Sequence, residues 1–161
     1  MDSQQVQERA MALIRRAYQQ QMAGALERAA DLYRRSLAIY PTAEAHTFLG
    51  WTLSHQGKLD EAIDECKKAI AVDPTFGNPY NDIGAYLLEG GQVDDAIAWF
   101  ELAKQAPRYE PRHYPFLNLG RAFLAKGQLG RALVEFRGAL EIEPHNVMAQ
   151  RAIEEISSNL N

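Results

Sequence analysis

The sequence predicts an all-α chain, a solenoid of stacked antiparallel helix pairs. Three observations carry this. A segment recurs at a near-constant interval: LGWTLSHQGKLDEAIDECKKAIAVDP at 49–74, IGAYLLEGGQVDDAIAWFELAKQAP at 83–107 and LGRAFLAKGQLGRALVEFRGALEIEP at 119–144. Small residues keep register within it, with Gly50, Gly84 and Gly120 spaced by 34 and 36. Apolar residues sit at helical spacing, as in Leu49/Leu53 and Ile83/Leu87. A unit of this length buries its apolar face only by stacking on neighbours.

The elements follow in order. Residues 10–42 form a degenerate first unit: Gly24, Ala29, Tyr33, Ser36 and Pro41 stand 33 residues before Gly57, Ala62, Cys66, Ala69 and Pro74. Ala17 occupies its glycine column and Arg16 its leucine column, so its first helix is the least well specified. The second, third and fourth units span 43–76, 77–112 and 113–146. Within them helix A is expected at 45–56, 79–90 and 115–126, and helix B at 60–72, 94–106 and 130–142. The stretches QGK, GGQ and KGQ supply the turns, and Asp60 and Asp94 are the expected N-caps. Pro79 and Pro115 fall in the first turn of helix A, where a missing N–H does little harm. Pro41, Pro74 and Pro144 follow the B helices, which they cannot continue. Residues 146–158 read as a polar-faced capping helix. The whole chain, 1–161, reads as one domain. Between units three and four, APRYEPRHYPF (106–116) inserts two residues. It reads as a loop, or as an aromatic lip carrying Tyr109 and Tyr114.

Glycine inside a helix costs about 1 kcal/mol against alanine. Three such glycines in register imply a return: close approach of helices A and B. Ala62, Ala96 and Ala132 repeat on helix B, and so do Ala69, Ala103 and Ala139. A side chain at Gly50 would overpack that contact.

These columns resemble the tetratricopeptide repeat family. Its large–Leu–Gly–Tyr…Ala…Phe…Ala…Pro pattern is met by His46, Leu49, Gly50, Leu53, Ala62, Cys66, Ala69 and Pro74 in unit two. Unit three supplies Tyr80, Ile83, Gly84, Leu87, Ala96, Phe100 and Ala103. Unit four supplies Phe116, Leu119, Gly120, Phe123, Ala132, Phe136, Ala139 and Pro144. The resemblance implies a right-handed superhelix whose concave surface is lined by the A helices and binds a peptide segment of a partner protein. From the register, the inward residues are Arg15, Tyr18 and Met22, then Thr47, Phe48, Trp51 and His55. Unit three presents Asn78, Asn81, Asp82, Ala85 and Glu89, and unit four Tyr114, Leu117, Asn118, Arg121 and Ala125. The candidate partner-binding residues are Tyr18, Phe48, Trp51, His55, Asn81, Tyr114, Asn118 and Arg121. The aromatics are surplus to the core columns and suit anchors, while asparagine offers both donor and acceptor to a peptide backbone.

The family's two-carboxylate clamp for acidic chaperone tails requires Lys and Asn, then Asn, then Lys and Arg. This chain offers Ile14 and Tyr18, then Phe48, then Asn78 and Asp82, or, one unit later, Thr47 and Trp51, then Asp82, then Tyr114 and Asn118. Neither register has the cations, and Asp82 would repel the acidic ligand, so no such binding is expected.

Enzymatic chemistry is not expected. No zinc-protease, nucleophile-elbow, dinucleotide, phosphate-loop or EF-hand motif occurs. Cys66 fills the column of Phe100 and Phe136 and reads as packing. His46 reads as core; His55, His113 and His145 lack metal-ligand spacing. Asp64/Glu65 and Asp94/Asp95 read as surface charges, since adjacent helical residues do not face one another. No cofactor or metal is expected.

The net charge of −4 divides unevenly: +2 over 1–42, −7 over 43–110 and +1 over 111–161. That disfavours a nucleic-acid partner, which needs a clustered basic surface. No apolar run reaches the ~20 residues of a membrane span. The first twenty residues lack a secretory apolar stretch, so the expected location is cytoplasmic. The leading expectation is an adaptor or assembly factor. Its rivals are a chaperone resembling those of type III secretion and a self-associating structural scaffold, a homo-oligomer.

Overall fold

The computed structural model describes residues 1–160, and among them the regular elements are nine helices. They pair as α1 (Ser3–Met22) with α2 (Leu26–Ile39), α3 (Ala43–His55) with α4 (Leu59–Val72), α5 (Asn78–Glu89) with α6 (Val93–Gln105), and α7 (Tyr114–Ala125) with α8 (Leu129–Ile142). A last helix, α9 (Val147–Leu160), packs Ala149 and Ile156 onto α8. Helix α1 also touches α3, α3 touches α5 and α5 touches α7, whereas the even helices have no comparable contact with one another. The odd helices therefore form the inner layer of a curved stack. The expected all-α solenoid is the observed one.

The glycine columns are where the pairs close. A Cβ placed on Gly84 would lie 2.5 Å from Phe100 Cε1, and one on Gly120 would lie 2.6 Å from Phe136 Cε1. At Gly50 the neighbours are Ala62 O at 3.0 Å and Cys66 Sγ at 3.1 Å. Ala62, Ala96 and Ala132 are fully buried on the facing helices. The lost helix propensity is thus exchanged for interhelical packing.

Gly24, Gly57, Gly91 and Gly127 occupy left-handed backbone conformations, with φ between 71° and 82°. Each turn is so tight that the following helix starts one residue earlier than expected. Asp60 and Asp94 are consequently not N-caps. Lys58 and Gln92 hold those positions without a side-chain cap, and the aspartates lie in the first turn. There they still complement the positive end of the helix dipole.

The first unit is more regular than its sequence suggests. Asp2 and Gln5 form a reciprocal capping box at the start of α1. Leu13 and Ile14 supply the buried stripe while Arg16 faces solvent.

One side chain departs from expectation and another pairs with it. His46, read as core, is largely buried, and its Nδ1 stands 2.7 Å from Glu65 Oε2. Glu65, read as a surface charge, lies largely inside with Lys68 on its other oxygen at 2.9 Å. Burial works against that charge, yet the hydrogen bonds from His46 and Lys68 hold the carboxyl below its usual range.

The inserted loop has its own anchor. The Gly77 N–H donates to Arg108 O at 2.9 Å, and the Arg108 N–H donates to Thr75 O at 3.0 Å. The Arg108 guanidinium lies over the Phe76 ring and bonds Asp73 at 2.8 Å and Glu44 at 2.9 Å. Tyr109, which the lip alternative would expose, is 4% exposed. Its ring fills the space over Gly77, where a Cβ would overlap it.

Candidate functional site: the concave face of the inner helices

The inner layer leaves a cavity of about 430 Å³ among α1, α3, α5 and the inserted loop. That volume lies in the range of small-ligand and side-chain pockets. Its aromatic wall comes from Tyr18 on α1 and from Phe48 and Trp51 on α3. Tyr109 and Pro111 of the inserted loop and Tyr114 of α7 add to the lining. Helix α5 contributes Asn78, Asn81 and Asp82. Helical spacing explains the grouping: Asn78 and Asp82 are four residues apart and Phe48 and Trp51 three, so each pair shares one helix face.

The wall is held from behind. Phe48 stacks on Tyr33 at 5.7 Å and meets Tyr18 edge-on at 5.8 Å. The Tyr33 hydroxyl donates to Gln21 Oε1 at 2.6 Å, so this support is itself fixed. Trp51 meets His55 at a ring separation of 3.7 Å with the planes tilted by 31°, and His55 Nδ1 lies 3.0 Å from Trp51 O.

The eight sequence candidates divide accordingly. Tyr18, Phe48, Trp51, Asn81 and Tyr114 line the cavity; His55, Asn118 and Arg121 do not. Asn81 is 7% exposed, and its Oδ1 accepts from Asn118 Nδ2 at 3.0 Å. Arg121 in turn donates to Asn118 Oδ1 at 3.3 Å. This chain of bonds ties α5 to α7 and occupies groups expected to meet a peptide. Tyr18 and Tyr114, each nearly half exposed, remain open to a ligand.

Sequence reasoning treated Asp82 only as a charge that repels acidic tails. In the structure it is enclosed by protein atoms while keeping partial access through the cavity. Burial pushes its carboxyl up to about 7. Among the described residues it has no hydrogen-bond or ion-pair partner. The signal available in sequence was its place on the inner stripe, one turn from Asn78. Behind it, burial raises the Cys66 thiol well above its ordinary value, which disfavours the reactive thiolate.

Other clefts are less suited to this role. The one between α1 and α2 lies on the outer end of the stack and mixes Arg16 and Arg28 with Glu27 and Asp31. No cluster of three His, Cys, Asp or Glu able to hold a metal occurs among the described residues. No helix among them is long and apolar enough to cross a membrane.

Three family models, each described as a tetratricopeptide repeat, match residues 43–76, 65–98 and 115–146. Anaphase-promoting complex subunit 3 of Dictyostelium discoideum is 28% identical over 101 residues, 62% of this chain and 10% of that protein. The chain spans about a tenth to a fifth of the length of the curated relatives it matches. Among solved structures, Pseudomonas aeruginosa pilF superposes with a TM-score of 0.89 at 24% identity, covering 96% of this chain and 70% of that one. The first TPR of Spaghetti (RPAP3), bound to HSP90 peptide SRMEEVD, gives a TM-score of 0.67 at 25% identity, covering 74% and 93%. Matching repeat models, glycine and alanine columns that close each helix pair, and a shared solenoid lead to one conclusion: this chain belongs to the tetratricopeptide repeat family.

Proposed function

We propose that the chain is a non-enzymatic adaptor or assembly factor that holds a peptide segment of a partner protein against its inner helices. The observation that carries this is the cavity itself. Tyr18, Trp51 and Tyr114 present aromatic surface that the core does not consume, on helices fixed from behind. Buried aromatic anchors in a pre-formed pocket dominate the energetics of many interfaces. A related repeat solved with a bound peptide supports the class of ligand.

The peptide in that relative is acidic, SRMEEVD. The cavity here has no lysine or arginine in its lining, and its one charged residue is Asp82. An acidic tail is therefore a poor ligand for this chain, as like charges in a partly desolvated site repel strongly.

The test is selection of phage-displayed random peptides on the folded chain. Binding of a selected peptide is then followed by Trp51 emission in a Trp99→Phe background. The expected result is enrichment, an emission shift, and at least tenfold weaker binding after Trp51→Ala, as for an anchor worth ~2 kcal/mol. Absence of any enriched peptide, or peptides indifferent to Trp51→Ala, would refute the groove reading.

A further inference from the structure

We propose that the cavity recognises a cationic side chain, a lysine or arginine of the bound segment, which pairs with Asp82 between the aromatic walls. The proposal rests on the groove reading above and specifies the chemistry of its ligand.

Asp82 is the first reason. A desolvated carboxylate normally has a partner inside the protein, because burying an unpaired charge is costly. Elsewhere the chain observes that rule: Glu65 has His46 and Lys68, Glu135 has Lys104, and Asp73 has Arg108. Asp82 has none among the described residues, although it lies deeper than Asp73. Arg121, the cation on the next inner helix, is engaged with Asn118 instead.

The polar setting agrees. Asn78, one helical turn before Asp82, lies on the wall of the same cavity and its Oδ1 has no hydrogen-bond donor among the described residues. An unpaired carboxylate on the cavity wall calls for a compact donor with several N–H bonds. An ammonium brings three and a guanidinium five, and neither accepts. A carboxylate, amide oxygen or phosphate would leave Asp82 unsatisfied.

The walls fit the rest of such a side chain. Tyr18, Phe48, Trp51 and Tyr114 offer ring surface to its apolar stem, and aromatic faces attract the cationic head. The partly closed cavity excludes much of the water that would screen the pair. The charge of the surrounding sequence agrees, with −7 over residues 43–110.

The experiment uses the same phage-displayed peptides, selected in parallel on the wild-type chain and on Asp82→Asn. Wild type is expected to enrich Lys or Arg at one fixed position. Replacing that residue by norleucine in a synthetic peptide should weaken binding at least tenfold. On Asp82→Asn the same replacement should change affinity less than threefold, because its partner is gone. Trp51 emission places each peptide in the cavity. Selected peptides without a fixed cation, or a cation preference that survives Asp82→Asn, overturn this inference and leave the groove reading standing. Failure to select any peptide overturns both. Asp82→Asn keeps size and shape, and Asp82→Ser serves as a second neutral variant; a preference retained by either sinks the assignment.

Discussion

Gly84→Ala and Gly50→Ala make the same chemical change in two copies of one structural position. Helix propensity favours both by about 1 kcal/mol. The interhelical space treats them differently. At residue 84 the new methyl would lie 2.5 and 2.6 Å from two atoms of the Phe100 ring, which is fully buried and has nowhere to retreat. Overpacking of this kind costs about 3 kcal/mol at its upper end, leaving a net loss near 2 kcal/mol. At residue 50 the nearest atoms are 3.0 and 3.1 Å away, and the facing side chain is the smaller Cys66. A shift of a few tenths of an ångström suffices, so steric cost and propensity gain should nearly cancel. Urea unfolding should rank the variants wild type close to Gly50→Ala, both above Gly84→Ala. The melting temperature of Gly84→Ala should fall by roughly 4–8 °C, at about 2–4 °C per kcal/mol for this size. A double-mutant cycle with Phe100→Cys isolates the cause: the two changes should couple favourably by about 2 kcal/mol. If Gly84→Ala is as stable as Gly50→Ala, or the cycle shows no coupling, the spacer account of these columns is wrong.

Asp82→Asn should stabilise the free chain at pH 8 and leave it unchanged near pH 4. The carboxyl rises from 3.8 to about 7 on folding, so the folded state holds the extra proton and stability falls as pH climbs across that interval. At 1.36 kcal/mol per unit the ceiling is about 4 kcal/mol, and water reaching Asp82 through the cavity reduces the expected gain to about 2 kcal/mol. Cys66, Tyr86 and Tyr109 nearby are kept protonated by burial. Urea midpoints at pH 4, 6 and 8 that differ by a constant between the two proteins would refute the assignment. Arg108→Ala should speed hydrogen exchange at the Gly77 and Arg108 amides while leaving the global midpoint nearly unchanged, because it unties two surface loops from each other. Unaltered exchange there would show that Tyr109 alone holds the loop.

The stack was readable from sequence because its cause is repeated. Gly84, Gly120 and their alanine partners solve one packing problem again and again, so register exposes it. The first unit was harder, since Arg16 and Ala17 break the columns, while the capping box at Asp2 lies outside the repeat. The error at Asp60 and Asp94 has a similar origin: the left-handed glycine shortens each turn by one residue, which spacing alone does not reveal. Tyr109 and Arg108 belong to an insertion with no counterpart in other units. Their anchors, Gly77 and Asp73, stand more than thirty residues away. The candidate site was legible as a set of inward positions but not as a set of free groups. Asn81 and Asn118 were read as open to a ligand, and they satisfy each other. Asp82 was read as a repulsive charge, and it is the residue left without a partner.

Helix α5 joins these two outcomes. Its outer side carries Gly84, closed against Phe100 without space for a methyl group. Its inner side, two residues and about 200° away, carries Asp82, with Asn78 one turn earlier on that stripe. A polar pair lacking internal donors destabilises the free fold, and a mobile helix would relieve it by turning toward water. Rotation of α5 is opposed by the contact at Gly84, by fully buried Pro79 in its first turn, and by the Asn81–Asn118 bond to α7. Close packing on one face thus holds the unpaired groups of the other face in place. Local rules are broken at Asp82 and Asn78 and obeyed on the opposite side of the same helix, the pattern expected where a scaffold sustains a binding site.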